Sequence, residues 1–376
     1  MIGPASNLSR RDSPPASRPS VSAALIVRNE ERYLEGCLAS LAGQVDEIVI
    51  VDTGSTDNST RIAESFGVKL LHRPWTDDFS AARNSALDAA SGNWILYIDA
   101  DERLRLPAGV HLSYYLEGKR AAAAFVQFLP RSGFTRYREP RLFLNRPDIR
   151  FRGRIHETVM PDVHRLCRTL GLSVIPTGAK IDHLGYDGSQ DHKHPRNLPL
   201  LQAELRQGHD RVYYYYHLAE TYAALGDIPA AQRIAKEGLD VARRNNTDKN
   251  LADASLIYQM LARILLPGQS TLEIIEEGLG RLPSDHALRF LLALQLVKLG
   301  RHGDALRHLQ ILQGIDPDAL NDGLLAFDRR IFGTFAWQLT ATCLIATGRQ
   351  DEALQAFRAA AHEIEVSSTS PYGGWL

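Results

Sequence analysis

The sequence predicts a two-part chain: an α/β domain with a parallel sheet, followed by an all-α domain of paired helices. Three observations carry this. Short apolar runs alternate with amphipathic segments four times before residue 100, strand signals vanish beyond about Pro195, and glycine-centred breaks then recur between helical stretches. At 376 residues and 44% hydrophobic content the chain is long enough for two cores. The expected boundaries are a disordered tail at 1–20, the α/β domain at 21–194 and the helical domain at 195–376.

Ser22 to Val27 is an apolar run ending at Arg28-Asn29-Glu30, a buried strand handing over to a helix with Asn29 as its expected N-cap. Leu34, Cys37, Leu38 and Leu41 then recur at helical spacing, on the face that covers the sheet. Glu47 to Val51 is a second strand, turned by Asp52-Thr53-Gly54-Ser55-Thr56-Asp57 into a helix carrying Ile62, Ala63 and Phe66 and closed by Gly67. Val68 to His72, a helix around Ala81 to Ala90 ended by Gly92, and the strand Trp94 to Ile98 complete β-α-β-α-β-α-β. That alternation implies parallel strands with helices on both sides. From about Tyr114 to Tyr186 the pattern is strand-rich. Phe125 to Leu129, Arg141 to Leu144, Ile155 to Val159 and Val174 to His183 are the expected strands of a mixed or antiparallel flank.

The later breaks, at Gly226-Asp227, Gly268, Gly300-Arg301 and Gly348-Arg349, belong to a unit of roughly 34 residues, the tetratricopeptide length. Tyr215, Leu218, Ala219, Tyr222 and Ala231 fit one unit; Leu292, Ala293, Gly300, Ala305, Leu309 and Pro317 fit another; Trp337, Ala341, Leu344, Gly348, Ala353 and Phe357 fit a third. A weaker unit runs from near Ser255 to Pro283. Uneven spacing between units leaves an ordinary helical bundle as the alternative. The four tyrosines Tyr213 to Tyr216 point all round a helix, so packing rather than a sugar platform is their expected use.

A formal net charge of -1, from 43 basic and 44 acidic residues, gives no global field that would gather nucleic acid or an anionic membrane. Any anionic ligand must be held locally. No stretch approaches the roughly 20 apolar residues of a membrane helix, and Met1 to Ser20 lacks the apolar core of a secretory signal. Cys37, Cys167 and Cys343 stand in no metal-ligand spacing and read as small buried apolar residues. A cytoplasmic enzyme is the expectation.

Ligands of doubly wound sheets bind at the carboxyl ends of the strands, so Asn29, Asp52 and Asp99 should face one crevice. Asp99-Ala100-Asp101 sets two carboxylates one residue apart after a buried strand. There they can hold a hard divalent cation that bridges nucleotide phosphates. Elsewhere such a tripeptide is a solvated turn; this position at a strand end favours the metal. Asp52 can accept from a base N–H or a ribose hydroxyl, while Ser55 and Thr56 have a purely structural reading as turn and cap. Arg83, on a helix of small residues, reads as a phosphate or base contact. Asp191-His192-Lys193-His194 has no partner set and reads as a solvated linker.

Ala24 to Glu30, Val51 to Asp57, Ala82-Arg83-Asn84 and Ile98 to Glu102, in that order between about Ser22 and Arg103, resemble the family 2 glycosyltransferases of the type A fold. Arg141-Leu142-Phe143, Gly153-Arg154-Ile155-His156-Glu157 and Ile181 to Tyr186, followed by tetratricopeptide-like helices, resemble a narrower branch. That branch includes enzymes that glycosylate cysteine or serine side chains of bacteriocin peptides, the sublancin glycosyltransferase among them.

The resemblance implies a type A, Rossmann-like nucleotide-diphospho-sugar transferase domain followed by the all-α repeats. It implies a UDP-sugar donor, or less readily a GDP-sugar, with Mg or Mn required and inversion at the anomeric carbon. Val27, Arg28, Asn29, Glu30, Asp52, Arg83, Asp99, Ala100 and Asp101 would line the nucleotide pocket. Within it Asp52 lies on the base, Asp99 near the ribose or a metal-bound water, Asp101 on the metal, and His183 completes the metal shell. For the catalytic base Glu157 and His156 both stand: a carboxylate suits a hydroxyl acceptor, while a thiol, with a pKa of about 8.5, needs less help. His156 has a plainer reading as an orienting donor and His183 as a strand cap. A peptide or protein acceptor and a homodimer through the helical domain complete the expectation. Its rivals are transfer to a cell-surface polysaccharide or lipid-linked glycan, and a non-catalytic repeat scaffold. A phosphotransferase of the haloacid dehalogenase type would carry its Asp-x-Asp on the first strand, not the fourth.

Overall fold

A computed structural model describes residues 18–130, 133–184, 193–208, 211–244, 251–320 and 323–368. Residues 1–17 of the expected tail, Gly185 and Tyr186, and Asp191 and His192 of the expected linker lie outside them. The parallel strands β1 (Val21–Val27), β2 (Glu47–Asp52), β3 (Lys69–His72) and β4 (Trp94–Tyr97) lie side by side in the order β3-β2-β1-β4. The helices α1 (Leu34–Leu41), α2 (Ser59–Ser65) and α3 (Phe79–Ala89) connect them. Leu34, Cys37, Leu38 and Leu41 of α1 seal one sheet face, and Ala86 and Leu87 of α3 pack on the other. Strands covered on both faces are largely apolar, as β1 is apart from Ser22, whose hydroxyl bonds Glu47. Gly92 lets the chain enter β4 beside β1, because a Cβ there would lie 2.7 Å from the Ser22 nitrogen.

The strands β5 (Glu102–Arg105), β6 (Ala121–Pro130), β7 (Tyr137–Leu144) and β8 (Ser173–His183) widen this into one sheet, β3-β2-β1-β4-β7-β6-β8-β5. β7 runs antiparallel to β4 and β6, while β8 is parallel to β6 and antiparallel to β5, the expected mixed flank. Two expectations fail. Ile155 to Val159 is not a strand but a loop, held by one bridge between Arg152 and Thr158, that runs into α4 (Met160–Leu170). Its apolar residues are buried, but Pro161 in the first turn and Gly171 as a left-handed C-cap mark a helix beyond them. Nor is Asn29 an N-cap: α1 begins after Tyr33, and Asn29 takes a left-handed conformation that asparagine tolerates. Its side-chain oxygen accepts from Thr56 N at 2.8 Å, tying the loop after β1 to the loop after β2.

Helix α5 (Lys193–Arg206) opens the helical part, followed by the pairs α6 (Val212–Ala224) and α7 (Ile228–Arg244), α8 (Leu251–Ile264) and α9 (Gln269–Arg281), α10 (His286–Lys298) and α11 (His302–Gln313), and α12 (Thr334–Ala346) and α13 (Gln350–Ser368). The pairs turn at the four expected breaks. Tyr214 is buried and its three tyrosine neighbours are half-buried, so the tetrad packs. Cys37 and Cys343 are buried, Cys167 is only half-buried, and none is in a disulfide. Among the described residues no helix is long and apolar enough to cross a membrane.

Among the described residues the two parts meet at two places. Near the first pair, Arg154 N donates to Glu204 Oε1 of α5 at 2.8 Å, and Ile155 and Phe79 join the helical core. Gly153, at φ +98, has no alternative there, since a Cβ would overlap the Tyr214 hydroxyl. Far along the chain, the β6–β7 connection bonds to the segment before α12. Thr135 N donates to Phe327 O at 2.8 Å, Phe327 N to Thr135 Oγ1 at 2.9 Å and Arg138 N to Gly323 O at 2.9 Å.

Candidate active site

Three adjacent parallel strands, β2, β1 and β4, end on the same side, and their loops form the crevice. The turn after β4 is fixed from below. Arg103 donates to Ala100 O at 2.9 Å and to Tyr33 O at 2.8 Å, and the Cys37 thiol meets Asp99 O at 3.4 Å. Because Glu102 pairs with His183 in the β5–β8 register, His183 Nε2 comes to lie 3.3 Å from Asp101 Oδ2. Both side chains are partly exposed. Burial lowers the imidazole's pKa, but the bond to Asp101 together with the charges of Asp101, Glu102 and Asp99 outweighs it and the net shift is upward.

Asp99 points elsewhere. Arg83 Nη2 donates to its Oδ1 at 2.8 Å, while Arg83 Nε bonds Glu157, and Arg141 approaches Asp99 Oδ2 at 3.8 Å. Among the described residues no group of three or more His, Cys, Asp or Glu side chains is arranged to hold a metal ion. The adjacent pair, a carboxylate oxygen beside an imidazole nitrogen at the rim, is a donor set that a divalent cation accepts. Asp99, turned toward two guanidiniums, does not join that pair in this arrangement.

Beneath the rim lies a buried charge lattice. Arg141 donates to Glu102 at 2.8 Å and to Glu139 at 2.8 Å, with its guanidinium over the rings of Tyr97, at 4.6 Å, and Phe128, at 4.7 Å. Burial pushes the Glu102 carboxyl up to about 7 despite Arg141. Burial acts the same way on Asp99, but Arg83 and Arg141 outweigh it and hold that carboxyl at about 2. Asp99 is therefore anionic at any working pH.

At the end of β2, Asp52 is buried and accepts from Gly54 N at 3.2 Å, Ser55 N at 3.1 Å and His72 Nδ1 at 3.4 Å. Burial opposes its charge, yet the bonds from Ser55 and His72 carry its pKa below the usual carboxylate range. Asn29 N donates to Ser55 Oγ at 2.9 Å and Glu30 N to Ser59 Oγ at 2.7 Å, so Val27 to Glu30 and Asp52 to Ser59 are one bonded unit.

His156 and Glu157 part ways. Glu157 faces Arg83, whereas the His156 ring stacks on His217 of α6, with centroids 3.9 Å apart, and has Tyr213 at its edge. Burial, then the charges of His217, Arg211 and Arg196, drive the His156 pKa well below its ordinary value. The unfolded chain therefore takes up this proton first, and stability is lost as pH falls below about 6.5, by at most about 1.4 kcal/mol per pH unit. Urea unfolding at pH 6.5 and 5.5 should show His156→Phe losing less stability than the wild type over that interval; parallel profiles would contradict it. His217 and Glu220, bonded at 3.1 Å, belong to this region and escape sequence reading; their i, i+3 spacing on one helix is the only local signal.

The sequence model of Glycosyl transferase family 2 matches residues 22–171, and that of the tetratricopeptide repeat matches 212–237 and 286–310. A TPR repeat-containing protein of Synechococcus elongatus is 40% identical over 236 residues, 61% of this chain and 58% of that protein. The SPbeta prophage-derived glycosyltransferase SunS of Bacillus subtilis is 23% identical over 250 residues, 64% of this chain and 58% of the relative. The lipopolysaccharide core biosynthesis glycosyltransferase LpsC of Rhizobium meliloti is 39% identical over 89 residues, 22% of this chain and 32% of the relative. The chain thus spans little more than half the length of the first two.

Proposed function

From a chain whose N-terminal domain belongs to glycosyl transferase family 2 and whose helical domain carries tetratricopeptide repeats, we propose a metal-dependent, inverting glycosyltransferase. It moves a sugar from a UDP-sugar, in preference to a GDP-sugar, to a cysteine, serine or threonine side chain of a peptide or protein. The observation that carries this reading is the presence in one crevice of an Asp101–His183 pair and of Glu157 against Arg83.

In-line displacement requires a neutralised leaving group and a proton acceptor for the attacking atom. Asp101 and His183 would hold Mg or Mn, which when bound neutralises the diphosphate. The loop unit of Arg28, Asn29, Glu30 and Asp52 binds the nucleotide. A Glu157 carboxylate oxygen takes the acceptor's proton as the new bond to the anomeric carbon forms and the bond to the diphosphate oxygen breaks. His156 suits an orienting role better, because a ring whose protonation is so disfavoured is a weak base. The Arg83 guanidinium bridges Glu157 and Asp99. Repeats suit extended peptides, and the exposed Ile345, Leu354 and Phe357 of the last helical pair support a homodimer through this domain. The local likeness to a lipopolysaccharide core enzyme favours a glycan acceptor as the second reading. The cytoplasm is the compartment this reading assigns.

The test is nucleotide release from UDP-glucose, UDP-galactose, UDP-N-acetylglucosamine and GDP-mannose with Mn, Mg or EDTA. Release of UDP that EDTA stops is the expected result. Intact donors, together with no calorimetric binding of UDP or GDP, would leave the scaffold reading.

A further inference from the structure

Two arginines from different domains come together at the rim of the crevice. Arg28 follows β1, and Arg196 stands in the first turn of α5. Both are exposed, and among the described residues neither forms an ion pair. The Arg196 side chain bonds only its neighbour, Nε donating to Asn197 Oδ1 at 3.1 Å. The two lie close enough to repel: partial burial, then the charge of Arg28, lowers the Arg196 pKa. Arg196 is nevertheless held in place. Its guanidinium lies over the Phe79 ring, 5.4 Å from the centroid, and the Trp75 ring packs edge-on against Phe79 at 4.7 Å. Phe79 N donates to Arg154 O at 2.8 Å, while Arg154 N donates to Glu204 farther along α5. Two like charges held together without a carboxylate for either call for an anion.

Resting on the glycosyltransferase reading, the position of the pair identifies the anion. Asn29, next to Arg28, is tied twice to the loop after β2, its N donating to Ser55 Oγ and its side-chain oxygen accepting from Thr56 N. Arg28 is thereby fixed at the end of β1, where ligands of such sheets bind. The Arg196 charge also acts on His156, the neighbour of Glu157. It is thus felt at the nucleotide loop and at the loop of the proton-taking carboxylate. In a nucleotide sugar, the group between the nucleoside and the point of transfer is the diphosphate. Its oxygens accept from the planar fork of a guanidinium, and it carries enough of them for two. We propose that Arg28 and Arg196 grip the donor's diphosphate from the two domains, so that α5 forms a wall of the nucleotide site. Donor binding then ties the helical part to the sheet at a further point.

Arg196→Gln removes the charge and keeps a stem to cover Phe79. Titration calorimetry with Mn compares UDP and GDP on the wild type and the variant. The variant should bind the nucleotide that the wild type prefers about tenfold more weakly, the worth of one charge-assisted bond. Its thermal melt without ligand should be no lower than the wild type's, because a repulsion has been relieved. Arg196→Lys, which keeps a charge, should recover part of the lost affinity. Unchanged affinity in Arg196→Gln overturns the proposal, for the cation then serves an acidic acceptor. A lysine variant as weak as the glutamine one, or a ligand-free melt that falls along with the affinity, overturns it too, since the arginine then acts through packing. A wild type that binds neither nucleotide removes the glycosyltransferase reading itself.

Discussion

Asp101→Ala should lower metal-dependent release of UDP from UDP-glucose about a thousandfold. The size follows from the site: of the two donors adjacent at the rim, Asp101 supplies the charge and His183 a neutral nitrogen, and the variant keeps only the nitrogen. Losing several kcal/mol of leaving-group stabilisation corresponds to roughly three orders of magnitude in rate. The fold should survive. The Asp101 side chain is partly exposed, and its backbone oxygen, which accepts from Leu184 N at 2.9 Å, is untouched by the change. Nucleotide release measured against Mn concentration, alongside a thermal melt, reads both expectations. Full turnover in a variant with an unchanged Mn requirement would take Asp101 out of the site.

Arg83→Met should cost about 3–5 kcal/mol of stability and most of the activity, because it removes one charge from between two others. Arg83 is buried, bonds Glu157 and Asp99, and sits over the rings of Tyr97, at 5.3 Å, and Phe151, at 5.5 Å. Breaking a buried pair leaves an uncompensated charge, here on Glu157, while Asp99 keeps only the more distant Arg141 at 3.8 Å. Methionine replaces much of the apolar stem, so the loss reports the charge rather than a void. The pH dependence distinguishes this from simple mispacking. In the wild type Asp99, held at about 2 against an ordinary 3.8, contributes stability above about pH 4 that is lost as pH falls toward 2. In the variant a buried carboxylate stripped of its cation gains by protonation, so the deficit should shrink as pH falls from 7 to 5. Urea unfolding across that range would refute the account if the variant stayed within 1 kcal/mol of wild type, a margin well under the expected loss.

The parallel half of the sheet is legible in the sequence because each of its elements is a local pattern. Leu34, Cys37, Leu38 and Leu41 mark a buried helix face from their spacing alone, and all four are buried. The loop and helix at 155–170 are not, since the buried Ile155 and Val159 flanking three polar residues read as a short strand and only Pro161 and Gly171 hint otherwise. At the crevice, Asp99, Asp101 and Asp52 are found by their place after strands. Their partners are not, because the pairing of Arg83 with Glu157, Glu102 with Arg141 and His156 with His217 spans dozens of residues and depends on how whole elements dock. Asn29 shows the same limit in small: its residue type fits an N-cap, but the neighbouring loop's Thr56 nitrogen claims its side chain.

The β6–β7 connection grips a segment 192 residues further on, while Gly153 and Arg154 grip α5 and α6 at the array's beginning. A stack of repeats anchored at one end bends as a free lever, each unit yielding only to its neighbours. Held by the same domain at α5 and α6 and again between α11 and α12, the three pairs between those points form an arch. Its curvature is set by the span between its footings, and a guest that flattens or tightens it must load the hairpin at one footing and the Glu157 loop at the other.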